Sequence, residues 1–309
     1  MHTGEVISLF VAVLWTFSAW FADKSSRLLG SMVTNVLRLV LASLFLGLIV
    51  GAACGKPYPA YADSATWLWL GLSALVGYVF GDFCLFNCYL SIGPRYGQLL
   101  MTLAPPLSAV TAWVLLGESL SLRSILAVCV TICGISLSIL SRGSDRHIHL
   151  ALPLKGILLG LGAAVGQGVG LVLSKIGVMH YETALPPDAS AGWSGMIPFA
   201  ATQIRALVGA AGFLLLLGFQ KQFGQLKAAF GNPRGMRYAM LLTLFGPVLG
   251  VSLSLMAVQY APAGIASTLM ALVPVLIVIP DALFNHHRIT PKEILGLAVT
   301  MSGVTLFFL

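Results

Sequence analysis

Charge is what this chain has least of. Only 9% of its 309 residues are charged, against 58% hydrophobic, whereas an ordinary soluble domain carries about 25% charged residues. So little charge cannot solvate a globular surface, which excludes an ordinary soluble protein and makes lipid the main solvent. Acidic residues are scarcest, ten against seventeen Lys and Arg, for a net charge of +7. The basic residues stand singly or in small loop clusters and build no basic face, which excludes nucleic acid as a partner. Cysteine is sparse too: five, an odd number, mostly inside apolar runs, which is not a secreted disulfide framework. The first apolar run begins at once without a basic leader and reads as a spanning helix rather than a cleavable signal.

What is present is a repetition. Gly77 to Gly134 overlays Gly246 to Gly303 at a constant shift of 169 positions, without a gap. Gly77, Gly81, Met101, Leu103, Pro105, Leu107, Ile125, Leu126, Thr131 and Gly134 meet their own kind at that shift. The clearest echo is Met-Thr-Leu-Ala-Pro-Pro-Leu at 101–107 against Met-Ala-Leu-Val-Pro-Val-Leu at 270–276. Composition alone does not produce ten coincidences at one offset, so the chain is internally duplicated.

A spanning helix needs roughly 20 mainly apolar residues. Ten stretches qualify: 5–22, 32–51, 66–91, 96–116, 123–141, 154–178, 196–219, 237–259, 263–284 and 292–309. The expected fold class is therefore all-α integral membrane, since helices satisfy their own backbone in lipid. Arg38 and Arg205 fall in the second helix of their halves, and Lys24 and Lys175 end the first helices. Each half then holds five helices, 1–150 and 151–309. Five is odd, so the second copy enters the membrane from the opposite side. Ten transmembrane helices as two inverted five-helix repeats is a plan of secondary transporters, with binding near the midplane between the halves. One insertion, Tyr181 to Gly195, separates the halves' patterns and reads as a capped interfacial loop, either a lid or, better, a tolerated surface insertion.

This organisation, with an Arg in the second helix, Pro105 and Pro274 in the fourth and ninth, and Leu-Gly-Glu at 116–118, resembles the EamA-type branch of the drug/metabolite transporter superfamily. The resemblance covers nearly the whole chain. It implies a multi-pass carrier of the cell (inner or plasma) membrane that moves a small metabolite, often in exchange for protons, and no enzyme. One departure stands out: the position equivalent to Glu118 is His287, so that carboxylate has no duplicate. The resemblance suggests cytoplasmic termini, whereas the charges argue otherwise. One membrane side would hold Lys24, Arg27, Arg95, Arg142, Arg146, Lys155, Lys221, Lys227, Arg234, Arg237, Arg288 and Lys292. The side of the termini would hold only Lys56, Arg123 and Lys175. The positive-inside rule thus favours termini outside.

Asp82 is the sharpest candidate for chemistry, because a carboxylate at membrane depth costs roughly 2.5–3.5 kcal/mol and so faces a cavity or a partner. It suits a proton-coupling or amine site, or an ion pair with Arg38 or Arg205 that locks the halves. Arg38 and Arg205, each one turn after a polar residue (Asn35, Thr202), could bind a carboxylate or phosphate, snorkel, or pair structurally. Pro105 and Pro274 are expected to bend their helices and act in gating. Tyr78, Tyr89, Asn87, Gln98, Gln167 and Gln259 add polar groups inside apolar runs, as candidate substrate-binding or coupling residues, of which some should line the cavity and others join helices. The glycines of 156–170 read as a helix-packing face and not as a dinucleotide loop, since no βαβ unit surrounds them. Cys84/Cys88, Cys129/Cys133 and the histidines 147, 149, 286 and 287 read as apolar or solvated residues rather than metal ligands, so no cofactor or metal is expected.

The expected partners are a small-molecule substrate, protons and membrane lipids, with a homodimer left open. The function expected is secondary active transport of an amino acid, related metabolite or drug-like compound by alternating access. The alternatives are a passive channel or lipid scramblase, and more remotely an intramembrane acyltransferase or hydrolase. For an enzyme, no Ser or Cys motif stands beside a membrane-depth His or second carboxylate.

Overall fold

Gly30 stands alone between two long helices, and its φ of 84° is what lets the chain reverse there. It joins α1 (Thr3–Leu29) to α2 (Ser31–Cys54). In this computed structural model, residues 2–140, 153–276 and 291–308 are described, and among them every regular element is helical. After α2 the chain loops back over residues 55–63. Tyr181 Oη donates to the Ala60 carbonyl at 2.6 Å, and Asp63 caps the next helix by accepting from the Thr66 amide at 2.8 Å. The hydrogen bonds from Thr66 hold the Asp63 carboxyl below its ordinary pKa.

That helix, α3 (Ser64–Ala74), passes into a π-helical stretch, Leu75–Asp82, and then α4 (Phe83–Met101), which bends at Gly93 (φ 80°) ahead of Pro94. α5 (Ala104–Leu116) and α6 (Leu122–Leu140) close the first half. The second opens with α7 (Leu154–Ala184) and a short α8 (Ser190–Trp193), followed by α9 (Ile197–Phe219) and a surface helix, α10 (Phe223–Ala229). Next come α11 (Pro233–Thr243), a second π-helical stretch at Leu244–Val251, α12 (Ser252–Tyr260), α13 (Ala263–Met270), α14 (Val273–Leu276) and α15 (Pro291–Phe308).

Seven stretches among the described residues are long and apolar enough to cross a membrane: Thr3–Leu29, Ser31–Cys54, Ser64–Pro94, Tyr96–Leu116, Leu154–Ala184, Ser194–Phe219 and Pro233–Tyr260. Leu122–Leu137 and Ile294–Leu306 are shorter apolar helices. The ninth stretch read from the sequence extends beyond the described residues after Leu276.

Two expectations need correction. The stretch 96–116 is not one helix bent by a proline. The chain leaves the helix at Thr102–Leu103 and restarts at Ala104, so Pro105 lies in the first turn of α5, where a missing N–H costs little. The insertion does not begin as a loop either: α7 runs on to Ala184, Tyr181 is buried within it, and α8 packs Trp193 edge-to-face on Tyr61 at 5.7 Å.

The duplication reappears in the backbone. The π-helical stretches begin at Leu75 and Leu244 and end at Asp82 and Val251, the offset of 169 found in the sequence. The helix breaks after Met101 and Met270 share it, as do the restarts at Ala104 and Val273. α7 packs on the α3–π–α4 rod of the first half, and α1 packs on the α11–π–α12 rod of the second. Close backbone approach makes this crossing: a Cβ on Gly166 would lie 2.5 Å from Gly81 Cα, and one on Gly170 would lie 2.9 Å from Gly77 Cα. The glycine face of α7 is thus a packing face, as expected. Where α6 meets α15, Gly134 lies against Thr300 and Gly303 against Thr131. The same contact occurs twice with roles exchanged, as a two-fold axis between antiparallel helices requires.

Candidate functional site

The π-helical stretch ending at Asp82 carries the polar heart of the molecule. A π-helix widens the turn and re-aims the side chains that follow it, and here the stretch places Tyr78 and Asp82 in the interior, 2% and 3% exposed. Arg38 arrives from α2 and donates through Nη2 to Asp82 Oδ2 in a short, buried ion pair. Asn35, one turn earlier, holds the guanidinium by accepting from Nε at 3.0 Å, and itself donates to the Ser31 carbonyl at 3.0 Å. From α7, Gln167 donates to Asp82 Oδ1 at 3.2 Å. Both carboxylate oxygens are therefore engaged, one by each half of the chain. Arg38 also lies over the rings of Tyr78 and Phe86, 5.4 and 5.0 Å from their centroids.

Arg205 comes from α9 to the other side of this group and stands 4.4 Å from the Tyr78 ring centroid. The two arginines occupy equivalent places in their halves but not equivalent surroundings. Thr202, where Asn35 would be, turns its hydroxyl onto the Pro198 carbonyl at 2.7 Å. Val251 stands where Asp82 would be.

These groups line one cavity of about 120 Å³. Of the residues singled out in the sequence, it gathers Asp82, Arg38, Arg205, Tyr78, Tyr89, Gln98, Gln167 and Pro105. Gln98 donates through Nε2 to Tyr89 Oη, tying α4 to itself across its bend. Two candidates do not line it. Asn87 accepts from Ser31 at 3.2 Å and donates to the Phe83 carbonyl at 2.7 Å, joining α2 to α4. Gln259 donates to Glu182 at 2.5 Å on the exposed surface. For Pro274 only the backbone, within α14, is described.

Sequence reading missed Trp15, Ser18, Phe86, Ser254 and Ser267, which also line the cavity. Trp15 and Ser18 carried a usable signal, since the first helix of an inverted repeat packs across the third helix of the other half.

A second polar cluster lies toward the membrane side that holds the termini. Lys175 Nζ donates to Glu118 Oε1 at 2.5 Å and to the Ala261 carbonyl at 3.2 Å. Glu118 Oε2 accepts from the Ala263 amide at 3.0 Å and so caps α13. This clasp joins the loop after α5, helix α7 and the Ala261–Ala263 turn, outside the cavity. Glu118 has the role of a tie in the first half although no duplicate of it exists. Among the described residues no three His, Cys, Asp or Glu side chains converge as metal ligands would; His147, His149, His286 and His287 lie outside the described residues.

Comparison with known proteins agrees with this architecture. A solved structure described only as "Crystal structure of protein" shares the fold, with a TM-score of 0.70 and 17% identity over 99% of this chain and 95% of its own. The Uncharacterized transporter YetK of Bacillus subtilis (strain 168) is 23% identical over 305 residues, which cover 97% of this chain and 86% of that protein. The profile of the EamA-like transporter family matches residues 2–140 and again 154–309. The chain is a multi-pass membrane protein and belongs to the EamA-like transporter family.

Proposed function

We propose that this protein is a secondary active transporter that carries a small metabolite by alternating access, with Asp82 as the proton-coupling group. Ten transmembrane helices in two inverted five-helix halves, 1–150 and 151–309, would be the scaffold. The observation that carries the proposal is the Asp82 carboxylate, buried in a central cavity and held from both halves at once, by Arg38 of α2 and Gln167 of α7. A proton taken up by Asp82 neutralises the carboxylate, releases Arg38 and weakens the tie between the halves. Membership of a transporter family argues against an enzyme.

The test is reconstitution into proteoliposomes loaded with a pH-sensitive dye, with amino acids, carboxylates, amines and drug-like compounds added outside. A saturable, solute-induced proton flux is expected from the wild-type protein, and its loss from Asp82→Asn with facilitated exchange retained. Wild-type pH dependence in Asp82→Asn would remove the coupling role. Flux that neither saturates nor responds to the gradient would identify a passive channel.

A further inference from the structure

Arg205 is 4% exposed, yet among the described residues its guanidinium makes no hydrogen bond and no ion pair, and its Nε is buried without an acceptor. The Tyr78 ring attracts the cation but offers its face no lone pair for the N–H groups. The Tyr78 hydroxyl is itself buried without a partner. Gly77 leaves the space that the fork occupies, since a Cβ there would come within 3.1 Å of Nη2. Three charges meet in the cavity, Arg38, Arg205 and Asp82, and the single carboxylate is already bonded to Arg38 and Gln167. One positive charge is left over. A buried charge without a bonded counter-ion is costly, and in this half Val251 occupies the position equivalent to Asp82 while Thr202 faces its own helix.

We infer that the cavity takes a small organic monocarboxylate, its carboxylate seated on the free fork of Arg205 with the Tyr78 hydroxyl donating beside it. The inference rests on the carrier reading above and narrows its substrate class. A guanidinium fork matches a carboxylate with two parallel N–H donors, and one negative charge makes the cavity neutral. Trp15, Phe86, Leu85, Met101 and Met270 supply an apolar wall for the rest of the molecule. An α-amino acid fits less well, because its ammonium group would compete with Arg38 for Asp82.

Purified full-length protein in nanodiscs is titrated by calorimetry with a series from acetate to 3-phenylpropionate, beside 3-phenylpropionamide, 2-phenylethylamine and phenylalanine. At least one monocarboxylate is expected to bind, with the amide and the amine each about tenfold weaker or more, as loss of charge-assisted hydrogen bonds implies, and with the amino acid weaker because its ammonium leaves the surplus positive charge uncompensated. Arg205→Gln should lose that binding, and Tyr78→Phe, which keeps the ring, should weaken it about tenfold. If Arg205→Gln does not fold, Gly77→Ala and Tyr78→Phe stand in, and unchanged affinity in both overturns the inference. Equal binding of the amine or amide overturns it, as does silence of every carboxylate on protein with an intact unfolding transition. A saturable amine flux without carboxylate binding removes this inference and leaves the carrier. Carboxylate binding without any saturable flux removes the carrier and leaves the site.

Discussion

At the scale of single residues, the ion pair between Arg38 and Asp82 has to be separated from what it does. The sequence leaves two roles open for Asp82, coupling and locking, and the structure pairs it with Arg38 in the interior. Breaking a buried pair by removing one partner costs about 3–5 kcal/mol, while replacing both by apolar residues is often neutral. Arg38→Met alone should therefore lower the unfolding temperature markedly, and Arg38→Met with Asp82→Leu should recover most of it while proton-driven transport stays lost. A single variant that unfolds with the wild type would show that the pair locks nothing. The candidates that left the cavity, Asn87 and Gln259, show where residue reading ends. A polar side chain in an apolar run announces that it needs a partner, but its rotation about the helix decides whether that partner is a substrate or a neighbouring helix. Asn87 found Ser31; Gln167, just as polar and as central, found Asp82.

At the scale of elements, most boundaries were legible because lipid leaves helices as the economical choice and Gly, Pro and polar clusters mark their ends. The gap between the stretches 66–91 and 96–116, where α4 bends at Gly93, and the packing face of α7 followed from the residues themselves. The π-helical stretches did not, since Leu75–Asp82 has the same apolar pattern as an ordinary helix and one extra residue per turn is set by what the rod packs against. The π-helical stretch coincides with the place where the backbones of Gly81 and Gly166 approach closely enough to exclude a Cβ. Gly166→Ala would place a Cβ 2.5 Å from Gly81 Cα, a backbone atom that cannot rotate away. The expected cost is about 1–3 kcal/mol, as for overpacking of a tight core, read as a lower unfolding temperature in detergent. Gly71→Ala, where a Cβ would meet nothing within 4 Å, is the matched control. Equal stability of the two variants would mean that α7 and the π-helical stretch are not pressed together.

At the scale of the whole molecule, the halves share a backbone plan but not a charge plan. The π-helical stretches, the helix breaks and the Gly–Thr crossing of α6 and α15 recur at 169 residues, whereas Asp82, Asn35 and Glu118 have no counterparts. The repeat supplies two like scaffolds, and the unduplicated residues place the buried carboxylate and the Glu118 tie in the first half. The Glu118–Lys175 clasp lies toward the side of the termini, and the cavity wall runs from Asp82 along α4 to Tyr89 and Gln98, toward the opposite side. Which compartment each side faces depends on orientation, and twelve basic residues against three argue that the termini are outside. The clasp would then close the external face. A fluorescent reporter that matures only in the cytoplasm, fused to either terminus, should remain dark, while an alkaline phosphatase fused there should be active. Fluorescence at either terminus would reverse the assignment and place the clasp on the cytoplasmic face, so that breaking it, by Glu118→Gln, would ease release to the cytoplasm instead of to the outside.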